Sequence, residues 1–171
     1  SNGAAVSQSF TITVSNTNDG PVITTSEVIS VNEDAAYTYT FAANDVDTGD
    51  AITYTAATLP AWLNFNTSSG VLSGTPDNGD VGTHTVVLKA TDGAGVEAIQ
   101  TFTVTVSNVN DTPTLSVTNG SVTEDSGTYT AAGTLIGADV DAGSSLTYSV
   151  SSTSGSYGSI ALNTSTGAYT Y

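Results

Sequence analysis

Apolar and polar residues alternate one for one through 101–106, where Phe102, Val104 and Val106 interleave with Thr101, Thr103 and Thr105. Successive side chains of a strand point to opposite faces, so this stretch turns one face to a core and the other to solvent. Phe10, Ile12 and Val14 repeat the pattern near the start of the chain. Other short runs of strand composition occupy 28–31, 37–41, 52–55, 71–73, 83–90 and 99–107, set apart by Asp, Asn, Gly or Pro. Short runs punctuated in this way predict an all-β, Greek-key β-sandwich, and no stretch carries the 3.6-residue apolar stripe of a helix. Within LPAWLNF at 59–65, Trp62 has the bulk to plug the space between two small sheets. The other use of such a ring, stacking on a sugar, requires it to be exposed.

The pattern also repeats over a long interval. FTITVSNTNDGP at 10–21 returns ninety-two residues later as FTVTVSNVNDTP at 102–113. VNED at 31–34 is echoed by VTED at 122–125, NDVDTGDAITYT at 44–55 by ADVDAGSSLTYS at 138–149, and LNFNTSSG at 63–70 by IALNTSTG at 160–167. A period near ninety residues is the size of one small β-domain. The expected organisation is the last strand of a preceding repeat plus a linker at 1–19, a complete module at 20–111, and the N-terminal part of a following repeat at 112–171. On that reading residues 4–15 have the sequence of a closing strand with no module of their own, which makes strand exchange between chains an expected form of association.

Composition narrows the partners. Sixteen Asp and Glu face a single Lys and no Arg, a formal net charge of −15, yet only 10% of residues are charged and 38% are hydrophobic. Such a chain buries a core and folds rather than staying disordered. Nucleic acid and anionic membrane surfaces both demand Lys and Arg, which Lys89 alone does not supply. With no Cys there is no disulfide framework, thiolate site or cysteine nucleophile. This fits an extracellular bacterial surface protein stiffened by bound cations. No run approaches eighteen apolar residues, and no signal-peptide pattern opens the chain, so any export signal or anchor is expected outside it.

The acids gather in loops. Four clusters stand out: Asn16, Asn18 and Asp19; Glu33 and Asp34; Asn44, Asp45, Asp47 and Asp50; and Asn108, Asn110 and Asp111, with Asp92 in a separate TDGAG turn. Calcium takes six to eight oxygen ligands in irregular geometry, and Asp and Asn in loops supply them. An EF-hand does not fit 45–56, because its sixth position is Asp50 instead of Gly and its twelfth is Ala56 instead of Glu. Any ion must therefore draw ligands from several loops. The alternative is that these residues only make turns. That reading suits Asp77 and Asp80, while for the clusters the self-repulsion of uncompensated carboxylates favours a cation.

The sequence VNED, FAANDVDTGDAITY, TLPAWLNFNTSSGVLSGTP and GTHTVVLKATDGAGVEAIQTFTVTVSNVND resembles a bacterial cadherin-like domain of the dystroglycan type. LPxWL and GxLSGTP are its more specific elements. Residues from 112 onward are similar to the VCBS-like repeat found in multiples in Vibrio, Colwellia, Bradyrhizobium and Shewanella surface proteins. The resemblance implies Ca2+ as the bound ion. It makes Glu33 the base glutamate, Asp45 and Asp47 the DxD pair, Asp92 the later loop aspartate, and Asn108, Asn110 and Asp111 the linker ligands. Asn16, Asn18 and Asp19 repeat that linker, and Asp139 and Asp141 repeat the DxD pair. SGTP at 73–76 replaces the acidic pair of animal cadherins, so one or two ions per junction are expected.

The function implied is a non-catalytic, calcium-rigidified extender of a large RTX-type surface adhesin, with adjacent repeats of the same protein as partners and a role in biofilm attachment. The competing reading is a carbohydrate-binding unit. His84, the one histidine, lies in the strand-like THTVVLKAT without a GxSxG nucleophile turn, so enzymatic catalysis is not expected.

Overall fold

The computed structural model describes residues 2–121, 127, 130–155 and 158–171, so the VTED echo at 122–125 lies outside it. Contacts divide the chain into two compact units, Ser1–Val106 and Ser107–Tyr171.

Unit 1 contains β1 (Val22–Ile23), β2 (Ser30–Asn32), β3 (Tyr37–Thr40), β4 (Ala43–Asn44), β5 (Thr53–Thr58), β6 (Leu63–Asn66) and β7 (Val71–Gly74). After a 3-10 turn at Asn78–Asp80 come β8 (Gly82–Thr91) and β9 (Glu97–Ser107). One layer has the order β2-β9-β8-β5; the other is β3-β7-β6, with the short β1-β4 pair as a separate sheet. β8-β9 and β6-β7 are consecutive hairpins, whereas β2-β9, β8-β5 and β3-β7 join strands that are not consecutive, which is the Greek-key wiring of an immunoglobulin-like or cadherin-like sandwich. The alternation sets the faces. Tyr37 and Tyr39 of β3 and Phe102, Val104 and Val106 of β9 point inward, while the threonines between them are exposed. Tyr39 meets Phe102 edge-on across the layers at 5.7 Å between ring centres. Phe41, 1% exposed, and Leu72, fully buried, lie in the core with the equally buried Val86, Leu88 and Val104.

Trp62 is not the central plug. It is half-buried against the core cluster and is met edge-on by Tyr37 at 5.7 Å and by His84 at 5.9 Å. The next residue, Leu63, takes the inward place on β6. Gly74 opposite has no Cβ, and one there would collide with the carbonyl oxygen of Trp62. The backbone is thus pressed inward at 62 while the indole remains at the rim.

The alternation at Phe10, Ile12 and Val14 does not produce a strand. Residues 2–20 enter no sheet, and those three side chains are 81%, 75% and 89% exposed. Alternation records which face a strand would bury, and says nothing of a neighbour to complete its ladder.

Unit 2 contains β10 (Thr114–Thr118), β11 (Ala132–Ala138), a small β12-β13 pair (Ser154–Gly155 with Gly158–Ser159), β14 (Ala161–Leu162) and β15 (Ala168–Thr170). Its main sheet has the order β10-β11-β15-β14. This sheet repeats the second layer of unit 1 in register. Phe41 N donates to Gly70 O at 2.8 Å, as Leu135 N does to Gly167 O at 2.9 Å. Gly70 and Gly167 have φ of 70° and 72°, and a Cβ at either would run into the carbonyl oxygen of Phe41 or Leu135. The pair Tyr39↔Leu72 of unit 1 becomes Gly133↔Tyr169, with the Tyr169 ring packed where a side chain at 133 would stand. Among the described residues of unit 2, no strand corresponds in sequence to β8 or β9.

Candidate metal centre

The DxD loop between β4 and β5 receives the segment that leads into unit 1. Asp47 N donates to Asp45 Oδ1 at 2.8 Å, which curls the loop. Asp47 then accepts twice from the linker, from Asn16 Nδ2 at 2.6 Å and from the backbone N–H of Asp19 at 2.7 Å. Asn18 Nδ2 donates to Asp92 Oδ2 at 2.9 Å. The other Asp92 oxygen accepts the backbone N–H groups of Ala94 and Val96 at 3.0 and 2.7 Å, so the TDGAG turn after β8 wraps around its own aspartate.

Asp50 joins this site. Carboxylate oxygens of Asp45, Asp47 and Asp50 lie within 4.8 Å of one another. Gly49 at φ 100° closes the turn between Asp47 and Asp50, so the tight DTGD spacing was the signal in the sequence. The Oδ2 of Asp45 is buried without a hydrogen-bond partner, and such an orphan oxygen is costly unless something donates to it or binds it. The one lysine does not help, because Lys89 is paired with Glu97 at 2.8 Å.

These contacts pull two carboxylates in opposite directions. Asp92, 6% exposed, is held below the ordinary carboxylate range by the Asn18 hydrogen bond and then by the backbone donors, against the opposing effect of burial. Asp50 is pushed above that range by partial desolvation, and then by the negative charges of Asp45, Asp47 and Asp92. Asp92 therefore contributes stability that is present above the unfolded carboxylate pKa and is lost as pH falls through its depressed folded value. Asp50 works oppositely: its contribution is present at low pH and disappears as pH rises through its raised folded value. A carboxylate NMR titration in chelator should find Asp92 titrating below Asp50. Coincident midpoints would contradict this arrangement.

Unit 2 repeats the contacts between linker and DxD loop. Asp141 N donates to Asp139 Oδ1 at 2.9 Å. Asp141, itself buried, accepts from Asn108 Nδ2 at 2.9 Å and from Asp111 N at 2.7 Å. Asn110 Nδ2 donates to Asp111 O at 2.9 Å, as Asn18 Nδ2 does to Asp19 O at 3.0 Å. Ser144 stands where unit 1 has Asp50, so that loop of unit 2 lacks the third aspartate.

The remaining acids are placed differently. Glu33 follows β2 and is buried, but it is not part of the Asp45–Asp47–Asp50 group. Asp34 takes a left-handed turn, with φ 59°. Asp77 and Asp80 form a capping box on the 3-10 turn, with Asp77 accepting from Gly79 N at 2.8 Å. They are turn makers.

The donor set suits a hard cation. Asp45, Asp47 and Asp50 bring carboxylates, and Asn16 and Asn18 bring amides whose carbonyl oxygens face the cluster once the amide turns over. The amide N–H groups of Asn16 and Asn18 do in part what a cation would do.

A family model described as "Putative Ig domain" matches residues 20–107. A 60-residue stretch is 37% identical to the serine-rich adhesin for platelets of Staphylococcus aureus strain MRSA252, covering 35% of this chain and 4% of that protein. The same protein of strain MW2 matches at 37%, with 2% of its length covered. The chain thus spans a very small part of these relatives. Among solved structures, PcdhgB3 EC1-4 superposes with a TM-score of 0.57 at 23% identity over 92% of this chain and 41% of that one. The protocadherin GammaB4 extracellular domain gives 0.51 at 22% identity over 90% and 29%. At these identities the likeness is one of fold. No helix among the described residues is long and apolar enough to cross a membrane.

Proposed function

This chain belongs to that Ig-domain family, and on that premise we propose that it is a non-catalytic, calcium-rigidified extender from a large bacterial cell-surface adhesin of the RTX type. Residues 1–19 then serve as the closing strand and linker of a preceding repeat, 20–111 as one complete module and 112–171 as the start of the next. The observation that carries the reading is the docking of the Asn16-Asn18-Asp19 linker onto Asp47 and Asp92, repeated by Asn108, Asn110 and Asp111 around Asp141. A linker fastened at several points to the loops of the module it enters has a set direction of entry. A bound Ca2+ would strengthen that fastening by neutralising carboxylates that otherwise repel. The staphylococcal relative is named an adhesin for platelets, which supports placing this chain outside the cell, with adhesion as the task of the whole protein. Attachment in biofilms and contact with adjacent repeats follow from the same reading.

The carbohydrate-binding alternative draws less support. Trp62 is packed edge-on by Tyr37 and His84 against the core rather than presented as an open platform.

Two substitutions test the calcium assignment. Asp45→Ala should abolish the binding step belonging to unit 1 and leave that of unit 2, whereas Asp111→Ala should do the reverse. Calcium calorimetry on both variants checks this, and loss of the same step in both would refute it.

A further inference from the structure

The residue that follows the first linker is a glycine with no conformational reason to be one. Gly20 comes directly after Asp19, and its φ lies outside the left-handed region that holds Gly49, Gly70 and Gly95. The matching place in the second linker, ninety-two residues on, is Thr112, so this point of the NDxP path accepts a β-branched side chain. What excludes one at 20 is Val96. A Cβ built on Gly20 would stand 2.8 Å from Val96 Cγ1, closer than packed carbons approach, and 3.7 Å from Val96 Cβ.

Val96 has little freedom to withdraw. Its N–H donates to Asp92 Oδ1 at 2.7 Å and its carbonyl oxygen accepts from Asp92 N at 3.1 Å, so both ends of the residue are tied to the aspartate. Gly95, at φ 91°, closes the turn by donating its N–H to Asp92 O at 3.3 Å. On a backbone held this way a valine has few rotamers to choose from. The other Asp92 oxygen accepts from Asn18 of the linker at 2.9 Å. Asn18, Asp92, Val96 and Gly20 thus form a closed circuit, in which one aspartate grips the linker and fixes the methyl group that the linker's glycine receives.

We infer that Gly20 and Val96 are a matched pair that decides which linker fits the loops of unit 1. Gly20 is a positioning residue, and it acts through Val96 on the Asn18–Asp92 contact. The inference rests on the docked linker that carries the extender reading, and needs no bound ion. Its consequence concerns the order of modules. A turn with valine at 96 accepts a linker with glycine after its NTND segment and rejects the bulkier residue of the second linker, so that linker cannot stand in for the first.

The test is a double-mutant cycle on the intact chain in chelator, which keeps its outcome separate from calcium calorimetry on Asp45→Ala and Asp111→Ala. The readout is the set of nuclear Overhauser contacts between the Asn18 side-chain amide and the Asp92–Val96 turn. Gly20→Ala should weaken these contacts severalfold, Gly20→Thr should abolish them, and Val96→Ala alone should leave them in place. With Gly20→Ala and Val96→Ala combined they should return, because the Cβ that remains at 96 lies at an ordinary packing distance. Urea unfolding read on Trp62 should keep its midpoint in every variant, since neither residue belongs to the core of unit 1. Contacts that persist in Gly20→Ala and Gly20→Thr overturn the inference. So does a loss that Val96→Ala fails to restore, which would make glycine a demand of the linker backbone alone. A midpoint that falls together with the contacts overturns it too, because the effect would then belong to the folding of unit 1.

Discussion

Phe41→Ala should destabilise unit 1 by about 3–5 kcal/mol, the usual cost of truncating a fully buried phenylalanine. Phe41 is 1% exposed and is met edge-on by Tyr54 and Phe65, with ring centres at 5.3 and 6.3 Å. The site has little room to collapse, because Gly70 carries backbone close against the Phe41 carbonyl and already sits in a left-handed conformation. Domains of this size are stable by only about 5–15 kcal/mol, so the loss is a large fraction of the whole. Urea unfolding followed by fluorescence reads it directly, since Trp62 is the one tryptophan and lies in unit 1. The midpoint should fall while the slope stays unchanged. Leu135→Ala, at the matching position of unit 2, truncates a side chain that is only half-buried and should cost much less.

On the proposed calcium reading, chelation should produce the second large change. A ligand that binds only the folded state adds RT ln(1 + [L]/Kd), about 2.7 kcal/mol at a hundredfold excess over Kd. For a domain of about ninety residues each kcal/mol moves Tm by about 4–8 °C, so chelation should lower Tm by roughly 10–20 °C. On the calcium reading, the orphan Oδ2 of Asp45 gains a partner, and the carboxylate charges that add to desolvation in raising the pKa of Asp50 are offset. Asp50 should then titrate lower in calcium than in chelator. An unchanged melting curve on adding EDTA would remove the basis of the extender reading.

The sandwich was legible because burial on one face forces a period of two. Phe102, Val104 and Val106 were placed correctly from alternation alone. The LNFNTSSG and IALNTSTG echo marked the same glycine turn in both units, since the steric demand at Gly70 and Gly167 is local. Less legible were β1 and β4, two residues each, whose pairing of Val22 with Asn44 depends on tertiary placement. Trp62 was overrated as a core residue because size does not report which side of a strand the backbone permits. The grouping of Asp47 with Asn16 and Asp19 is a contact between residues 28 and 31 positions apart. The sequence showed the oxygen chemistry there, but only the fold shows that the linker reaches that loop.

The amide clamp at Asp47 changes how such a junction answers its surroundings. A carboxylate already receiving two N–H donors is not vacant, so an arriving cation competes with the protein's own groups instead of filling an empty cage. The linker keeps its path past this loop by hydrogen bonds of the chain itself, through Asn16, Asn18 and Asp19. On the proposed calcium reading, what an ion adds is resistance of the joint to bending under load, while the route of the chain through it stays the same.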